Sequence, residues 1–231
     1  MTDFNYTTFG NTENPTKLIV FLHGYNSYIS DIIPFANIFA QSLKDTLIVV
    51  PDAHLQSEKN PLKKQWYALV DLDPELIRRN PNSSVEQIVD VYNKTGSRIS
   101  DVAKKVNSFI SSIQKKYIIA NRDTYLMGFS QGAMLAIYTG LTRRFKLGGV
   151  FSLAGIICGK DMLEKELTSR PNVYLFHGSG DKCVQYKTLD FTKSWLDKHD
   201  ICWEAIEYDG IEHRVIEEEI LDTIEIINRS A

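Results

Sequence analysis

Six short apolar runs, separated by stretches of helical periodicity, constrain the fold of this chain more than any other feature. Several runs are almost continuously apolar, which is typical of parallel strands covered on both faces of a sheet. Strands and helices that alternate in this way predict an α/β fold with a doubly wound, mostly parallel sheet and helices on both faces. The predicted strands are 17–22, 46–50, 124–127, 148–153, 172–176 and 202–208, and the predicted helices are 31–43, 99–117, 184–198 and 212–228.

The last predicted helix has a clear apolar stripe, formed by Ile216, Ile220, Ile224 and Ile227. Because this stripe faces the core, the acidic run 217–219 is predicted to be the solvated face of the same helix.

Residues 51–84 do not fit the alternation of strands and helices. The segment holds four prolines and has no sustained period. A connection longer than about 15 residues in a compact domain is usually functional or disordered. This one contains Trp66 and Tyr67 among other apolar residues, too much apolar surface for a free linker. We predict an irregular cover over the functional site, within a single domain that spans residues 1–231.

Charge and composition exclude several classes of partner. The formal net charge is −3, without the basic signature of a nucleic-acid-binding protein. The first residues lack an export signal, and no run of eighteen apolar residues occurs, so we expect a cytoplasmic protein without stable membrane insertion. The cysteines Cys158, Cys183 and Cys202 are odd in number, which fits a reducing compartment; each is expected to be a buried small hydrophobic residue.

The sequence GFSQG at 128–132 places a serine between two glycines, directly after a predicted strand. Residues 133–138 have the composition of a helix, so the context is strand, turn and helix. A turn this tight requires small flanking residues and exposes the serine hydroxyl above the sheet. We therefore predict that Ser130 is a catalytic nucleophile.

A serine nucleophile needs a histidine as base and a carboxylate as acid. In α/β folds with a strand–turn–helix serine, the three residues follow one another along the chain in the order serine, acid, histidine. Only His199 and His213 come late enough in the chain to be the base. His199 precedes a strand, whereas His213 follows one and so lies at the carboxyl edge of the sheet, where open sheets place their sites. Asp181 also follows a strand, and we predict it as the acid; Asp209 is so close to His213 in sequence that it is expected to shape the turn.

The oxyanion of the tetrahedral intermediate requires preorganised donors. The backbone N–H of Gln131, at the start of the helix after Ser130, is one candidate. The second is expected in the loop after an early strand. Tyr25 N–H lies in that loop, and His23 is expected to brace the loop rather than to act chemically.

Several short motifs occur together between about residues 17 and 227, and their joint match is far more specific than any one of them. They are His23-Gly24-Tyr25, Gln65-Trp66-Tyr67, GFSQG at 128–132, His177-Gly178 with Asp181, and Gly210 with His213. Together they resemble the phospholipase/carboxylesterase family of α/β-hydrolases, which contains small carboxylesterases, lysophospholipases and acyl-protein thioesterases.

The resemblance implies a serine esterase for short to medium acyl chains that uses no metal and no cofactor. It implies Ser130, Asp181 and His213 as the triad, with Tyr25 and Gln131 as oxyanion donors. Trp66 matches a tryptophan that borders the acyl pocket in the family, which implies a substrate contact. Family members are often monomers or weak homodimers.

The chain departs from the family pattern in three places. Bulky residues at 25–29 replace a glycine and other small residues, which is expected to narrow the entrance or to reshape the oxyanion loop. Ala133 replaces a frequent glycine, and Cys183 and Gln185 replace a valine and a proline after the acid. None of these changes removes a catalytic group.

The resulting hypothesis is a serine carboxylesterase that hydrolyses short- to medium-chain esters or thioesters through an acyl-enzyme on Ser130. A lysophospholipase and an acyl-protein thioesterase remain alternatives, with a lysophospholipid or an acylated protein as substrate. A catalytically idle binding module is a further alternative, although such proteins normally lack a triad member. A metal or nucleotide enzyme is set aside, because the chain has no His-Glu-x-x-His pair and no phosphate-binding glycine-rich loop.

Overall fold

A seven-stranded sheet forms the centre of the computed structural model, which describes residues 4–229. Its strand order is β1-β3-β2-β6-β7-β8-β9; β1 is antiparallel to β3, and the other pairs are parallel. A small separate hairpin consists of β4 and β5. The strands are β1 (Tyr6–Gly10), β2 (Lys17–Leu22), β3 (Thr46–Pro51), β4 (Leu55–Gln56), β5 (Lys64–Gln65), β6 (Thr124–Phe129), β7 (Gly149–Leu153), β8 (Val173–Gly178) and β9 (Trp203–Tyr208).

Helices cover both faces of the sheet. Buried residues of α1 and α7 belong to the apolar cluster on one face, and those of α2 to α6 belong to the cluster on the other. The α/β fold with a doubly wound, mostly parallel sheet is therefore confirmed. The helices are α1 (Ile33–Ser42), α2 (Val85–Asn93), α3 (Gly96–Tyr117), α4 (Gln131–Thr142), α5 (Lys160–Glu166), α6 (Leu189–Lys198) and α7 (Glu217–Arg229).

The burial of β2 shows why its residues are almost all apolar. Leu18, Val20 and Leu22 lie in the cluster beneath α2 to α6, while Ile19 and Phe21 lie in the cluster beneath α1 and α7. Successive side chains of a strand point to opposite faces, so a strand covered on both sides needs apolar residues at every position.

Two predicted helices begin later than expected. The helix predicted from 184 begins at Leu189, after a 3-10 turn at Tyr186–Thr188. The helix predicted from 212 begins at Glu217, so His213 lies in a loop. The prediction that 217–219 is solvated is wrong for Glu219, which is 2% exposed. The side chain of Glu219 turns back to accept a hydrogen bond from the Ile216 N–H (3.1 Å), which buries it at the helix start.

The segment 51–84 contains the β4–β5 hairpin and two 3-10 turns and is otherwise irregular. It packs onto the rest of the fold through polar anchors. The Arg98 guanidinium on α3 donates to both carboxylate oxygens of Asp71 (2.6 Å each), and the Gln185 amide donates to the carbonyls of Arg78 and Asn80 (3.0 Å each).

The three cysteines are free thiols. Cys158 is buried as expected and Cys183 is only partly buried, whereas the expectation of burial is wrong for Cys202, which is exposed just before β9. Within residues 4–229, no helix combines the length and the apolar character that a membrane span requires.

Candidate active site

Ser130 occupies the sharp turn between β6 and α4. Its backbone has φ 55° and ψ −117°, and a positive φ costs energy for a residue with a Cβ. The Ser130 N–H donates to the carbonyl of Leu153 at the end of β7 (2.9 Å), and this bond helps to hold the strained residue. The turn matches the strand–turn–helix elbow predicted from GFSQG.

The structure brings Ser130, His213 and Asp181 into direct contact. His213 Nε2 lies 2.9 Å from Ser130 Oγ, and His213 Nδ1 lies 2.7 Å from Asp181 Oδ2. The three residues come from loops after β6, β8 and β9, whose parallel arrangement places their carboxyl ends at one edge of the sheet.

Asp181 is a buried carboxylate, and each of its two oxygens has a hydrogen-bonding partner. Its Oδ1 accepts the backbone N–H groups of Cys183 (2.8 Å) and Val184 (3.1 Å), while Oδ2 faces His213. Burial by itself raises the pKa of Asp181, but hydrogen bonding from His177 and His213 outweighs it, so this pKa lies well below its ordinary value. Asp181 is therefore held as an anion beside the imidazole.

The imidazole of His213 is packed as well as hydrogen-bonded. The ring of Phe129 lies 4.8 Å from it between centroids, tilted by 33°. Phe129 immediately precedes Ser130, so one turn of chain supplies both the hydroxyl and an apolar wall for the base.

The backbone N–H groups of Tyr25 and Gln131 flank Ser130, and neither donates to an acceptor among residues 4–229. His23 braces the Tyr25 loop as predicted. The Ala53 N–H donates to His23 Nε2 (3.0 Å), which leaves the proton on Nδ1 to be donated to the carbonyl of Gly24 (2.8 Å).

Trp66 is fully buried behind this loop. Its indole N–H donates to the carbonyl of His23 (2.8 Å), and its backbone N–H donates to Gln131 Oε1 (2.9 Å). Trp66 lines neither of the two cavities at Ser130. A direct contact between Trp66 and a substrate stays a prediction; the contacts that it makes support the oxyanion loop.

Two cavities meet at Ser130 and share Tyr25, Arg79 and His213 as lining residues. The inner cavity has a volume of about 20 Å³. The outer cavity has a volume of about 360 Å³ and opens to solvent. Its apolar lining comes from Ile32, Phe35, Phe129 and Val215, and its polar lining includes Asn26, Ser27, Asp31, Arg79 and Arg214.

Sequence reasoning missed most of this outer lining. Ile32 and Phe35 carry the helical apolar period of α1, which indicates a buried face but not a cavity. No local sequence pattern indicates that Arg79 lines the cavity, because the path of the segment 51–84 determines its position. The departure from the family pattern at 25–29 is the signal that the entrance is unusual, and three of these residues, Tyr25, Asn26 and Ser27, line the cavity.

The rejected alternatives lie away from the imidazole of His213. His199 bonds to the carbonyl of Trp195 (2.7 Å) and to Glu164 (3.0 Å). Asp209 accepts the hydroxyl of Ser179 (3.0 Å), which fits a role in shaping the turn.

The sheet order and the serine elbow after β6 define the class of this protein: it is an α/β-hydrolase. The phospholipase/carboxylesterase family matches residues 7–231, so the chain belongs to that family. It is therefore a carboxylic ester hydrolase.

Two curated relatives match nearly the whole chain. Acyl-protein thioesterase 1 of Saccharomyces cerevisiae is 26% identical over 227 residues, which cover 93% of this chain and 92% of that protein. Acyl-protein thioesterase 1 of Mycosarcoma maydis is 26% identical over 220 residues, 90% of this chain and 88% of that protein.

The crystal structure of esterase PE8 superposes with a TM-score of 0.83 at 23% identity and covers 99% of both chains. Arabidopsis thaliana SOBER1 superposes with a TM-score of 0.77 at 18% identity, covering 93% of this chain and 98% of its own. At these identities the two structures bear on the fold alone.

Proposed function

We propose that the protein is a serine carboxylesterase that hydrolyses short- to medium-chain esters or thioesters through an acyl-enzyme on Ser130. The observation that carries the proposal is the position of the His213 ring, which bridges Ser130 Oγ (2.9 Å) and Asp181 Oδ2 (2.7 Å). This is the geometry that a serine needs in order to lose its proton during attack.

In the first step, Ser130 Oγ attacks the substrate carbonyl while its proton passes to His213 Nε2. Asp181 stabilises the imidazolium that forms, and the N–H groups of Tyr25 and Gln131 donate to the oxyanion. The tetrahedral intermediate then expels the alcohol or thiol, which takes the proton from His213.

In the second step, His213 removes a proton from water as the water attacks the acyl-enzyme. A second tetrahedral intermediate collapses and releases the carboxylic acid, and the proton returns from His213 to Ser130 Oγ. No other reactant is consumed.

The size of the site supports small substrates. The outer cavity, at about 360 Å³, lies near the lower end of the range of about 300–1,000 Å³ for ligand pockets. The inner cavity, at about 20 Å³, has room for one water-sized group. A lysophospholipase or an acyl-protein thioesterase needs room for a long acyl chain. The thioesterase is the second candidate, because the relatives from Saccharomyces cerevisiae and Mycosarcoma maydis carry that name.

Hydrolysis of a nitrophenyl ester series from acetate to palmitate tests the proposal. We expect turnover to peak at short or medium chains and to fall by at least about a thousandfold in Ser130→Ala, since the triad acts as a unit. Ser108→Ala, on the exposed side of α3, is the matched control and should keep wild-type rates. Activity retained in Ser130→Ala would refute the nucleophile, and rates that rise steadily to palmitate would favour the long-chain alternatives.

A fluorophosphonate probe gives an independent readout of the nucleophile. Mass spectrometry of the labelled protein should locate the adduct on Ser130 and find none in Ser130→Ala.

A further inference from the structure

Two arginines beside Ser130 differ from every other arginine in residues 4–229. Arg79 comes from the 3-10 turn Ile77–Arg79, and Arg214 directly follows His213. Both line the outer cavity, and neither guanidinium makes a hydrogen bond, an ion pair or a ring contact within the described chain. The arginines with a side-chain partner are Arg78, Arg98, Arg122, Arg143, Arg144, Arg170 and Arg229.

The contrast with Arg78 is informative, because Arg78 and Arg79 are adjacent. Arg78 is buried and its Nε donates to Asp73 Oδ2 (2.9 Å), so its charge is compensated inside the fold. Arg79 has no carboxylate partner. Its charge lowers the pKa of Lys59, and this effect is larger than that of burial, so positive charge accumulates on this side of the cavity.

One carboxylate, Asp31, also lines the outer cavity, but it is engaged elsewhere. Asp31 Oδ2 accepts the hydroxyl of Ser27 (2.7 Å) and the N–H of Tyr28 (3.2 Å), and it forms no ion pair with either arginine. Asp31 therefore does not neutralise either guanidinium group by a direct contact.

We propose that Arg79 and Arg214 form an anion subsite that binds a carboxylate or phosphate group carried by the leaving group of the ester. Guanidinium groups bind both anions through paired N–H donors. The leaving oxygen must reach His213 Nε2 to be protonated, and Arg214 lines the same outer cavity as His213, so an anion carried by the leaving group can lie within its reach. This proposal rests on the proposed function and defines its substrate class.

Three aryl acetates that carry different para substituents on the leaving phenol test the subsite. They are methyl 4-acetoxybenzoate, which is neutral, 4-acetoxybenzoate, which carries a carboxylate, and 4-acetoxyphenyl phosphate. The measured quantity is kcat/KM of each charged ester divided by that of the neutral ester, so that intrinsic reactivity cancels between variants.

We expect this ratio to fall about twofold to fivefold in Arg79→Gln and in Arg214→Gln, and further in the double variant, as for partly exposed charge pairs. The ratio in the wild type should also fall as salt is raised, because exposed charges are screened. The ester with the larger ratio identifies whether carboxylate or phosphate is preferred.

Arg144→Gln is the matched control. Arg144 lies beyond the far end of α4, a helix of 12 residues that begins beside Ser130, so it is about 18 Å or more away. Its ratio should equal that of the wild type. An unchanged ratio in both Arg79→Gln and Arg214→Gln would overturn the subsite, as would an equal fall in Arg144→Gln.

Failure of the proposed function is distinguishable from failure of the subsite. If no acetate ester is turned over, or if Ser130→Ala keeps its rate, the esterase proposal fails. The subsite is then tested by calorimetric binding of phenyl phosphate. Weaker binding in Arg79→Gln and Arg214→Gln supports it, and equal binding in wild type and variants overturns it.

Discussion

Close packing beneath the serine turn determines how the strained backbone of Ser130 is held. Gly132, in the first turn of α4, lies against the end of β2. A Cβ on Gly132 would overlap the carbonyl oxygen of Leu22 and would come within 2.5 Å of that of His23. Both obstacles are backbone atoms at the start of the oxyanion loop, so neither can move without moving Tyr25.

We therefore predict that Gly132→Ala lowers both stability and turnover. The overpacking should cost about 1–3 kcal/mol of unfolding free energy, and the displaced loop should lower kcat. Gly210→Ala is the comparison: Gly210 has φ +67°, and no atom lies within 4 Å of a Cβ there, so only about 1 kcal/mol of backbone strain is expected. Urea unfolding measures both, and a Gly132→Ala protein as stable as wild type would contradict the packing argument.

The proposed triad could be predicted from sequence because each member has a local signal. Ser130 has flanking glycines, and Asp181 and His213 each follow a strand at the carboxyl edge. Arg79 could not be found in this way, because its place at the cavity depends on how a distant segment packs. The full burial of Trp66 could not be predicted for the same reason, because it depends on the path of a segment that has no periodicity.

At the scale of elements, the segment 51–84 is held at several points instead of resting loosely on the sheet. Besides Arg98, the Gln131 side chain binds it, donating from Nε2 to the carbonyl of Tyr67 (2.8 Å) and accepting the N–H of Trp66. Lys187 donates to the carbonyls of Pro81 (2.9 Å) and Ser83 (2.5 Å). These bonds tie the segment to α3, α4 and the loop after β8.

Gln185 is a further buried anchor and binds the part of the segment that carries Arg79, so its replacement tests how firmly the segment is held. In Gln185→Met, the carbonyls of Arg78 and Asn80 lose their shared donor, which should cost about 1–3 kcal/mol. Hydrogen exchange at residues 76–81 should become faster. Gln41→Met, at an exposed site on α1, is the control and should leave exchange there unchanged. Unchanged protection in Gln185→Met would show that other contacts hold the segment.

Strand positions followed from the sequence to within one or two residues, because buried parallel strands are continuous apolar runs. The edge strand β1 was missed, since its sequence YTTFG is short, polar and only partly buried. The helix α2 was missed as well, although Ser84 and Gln87 form a capping box at its start. Its boundaries are set by local capping, a signal that apolar periodicity alone does not detect.

At the scale of the whole molecule, the sheet joins the two apolar clusters. Each central strand contributes alternate side chains to both, as Leu126 and Met127 of β6 do. Neither cluster can be exposed while the other stays intact, because they share the same strands. We propose that the chain is one domain and expect a single calorimetric transition with equal calorimetric and van't Hoff enthalpies. Two resolved transitions would contradict this.

The stability of this unit should depend on pH through Glu219. This carboxyl is 2% exposed, and burial is the main cause that raises its pKa from 4.5 to about 7. The nearby carboxylates of Glu218, Asp181 and Asp222 raise it further, while the hydrogen bond from the Ile216 N–H lowers it. Between pH 4.5 and about 7 the folded state therefore binds more protons than the unfolded state.

Unfolding free energy should consequently fall as the pH rises through this window, by at most roughly 3 kcal/mol, and then level off. In Glu219→Gln the side chain can still accept the Ile216 N–H but never ionises. We expect this variant to match wild type near pH 5 and to exceed it increasingly up to pH 8 in urea unfolding. Glu217→Gln, an exposed change in the same helical turn, should follow the wild-type profile. Parallel profiles for Glu219→Gln and wild type would mean that the buried carboxyl ionises in the folded protein as readily as in the unfolded chain.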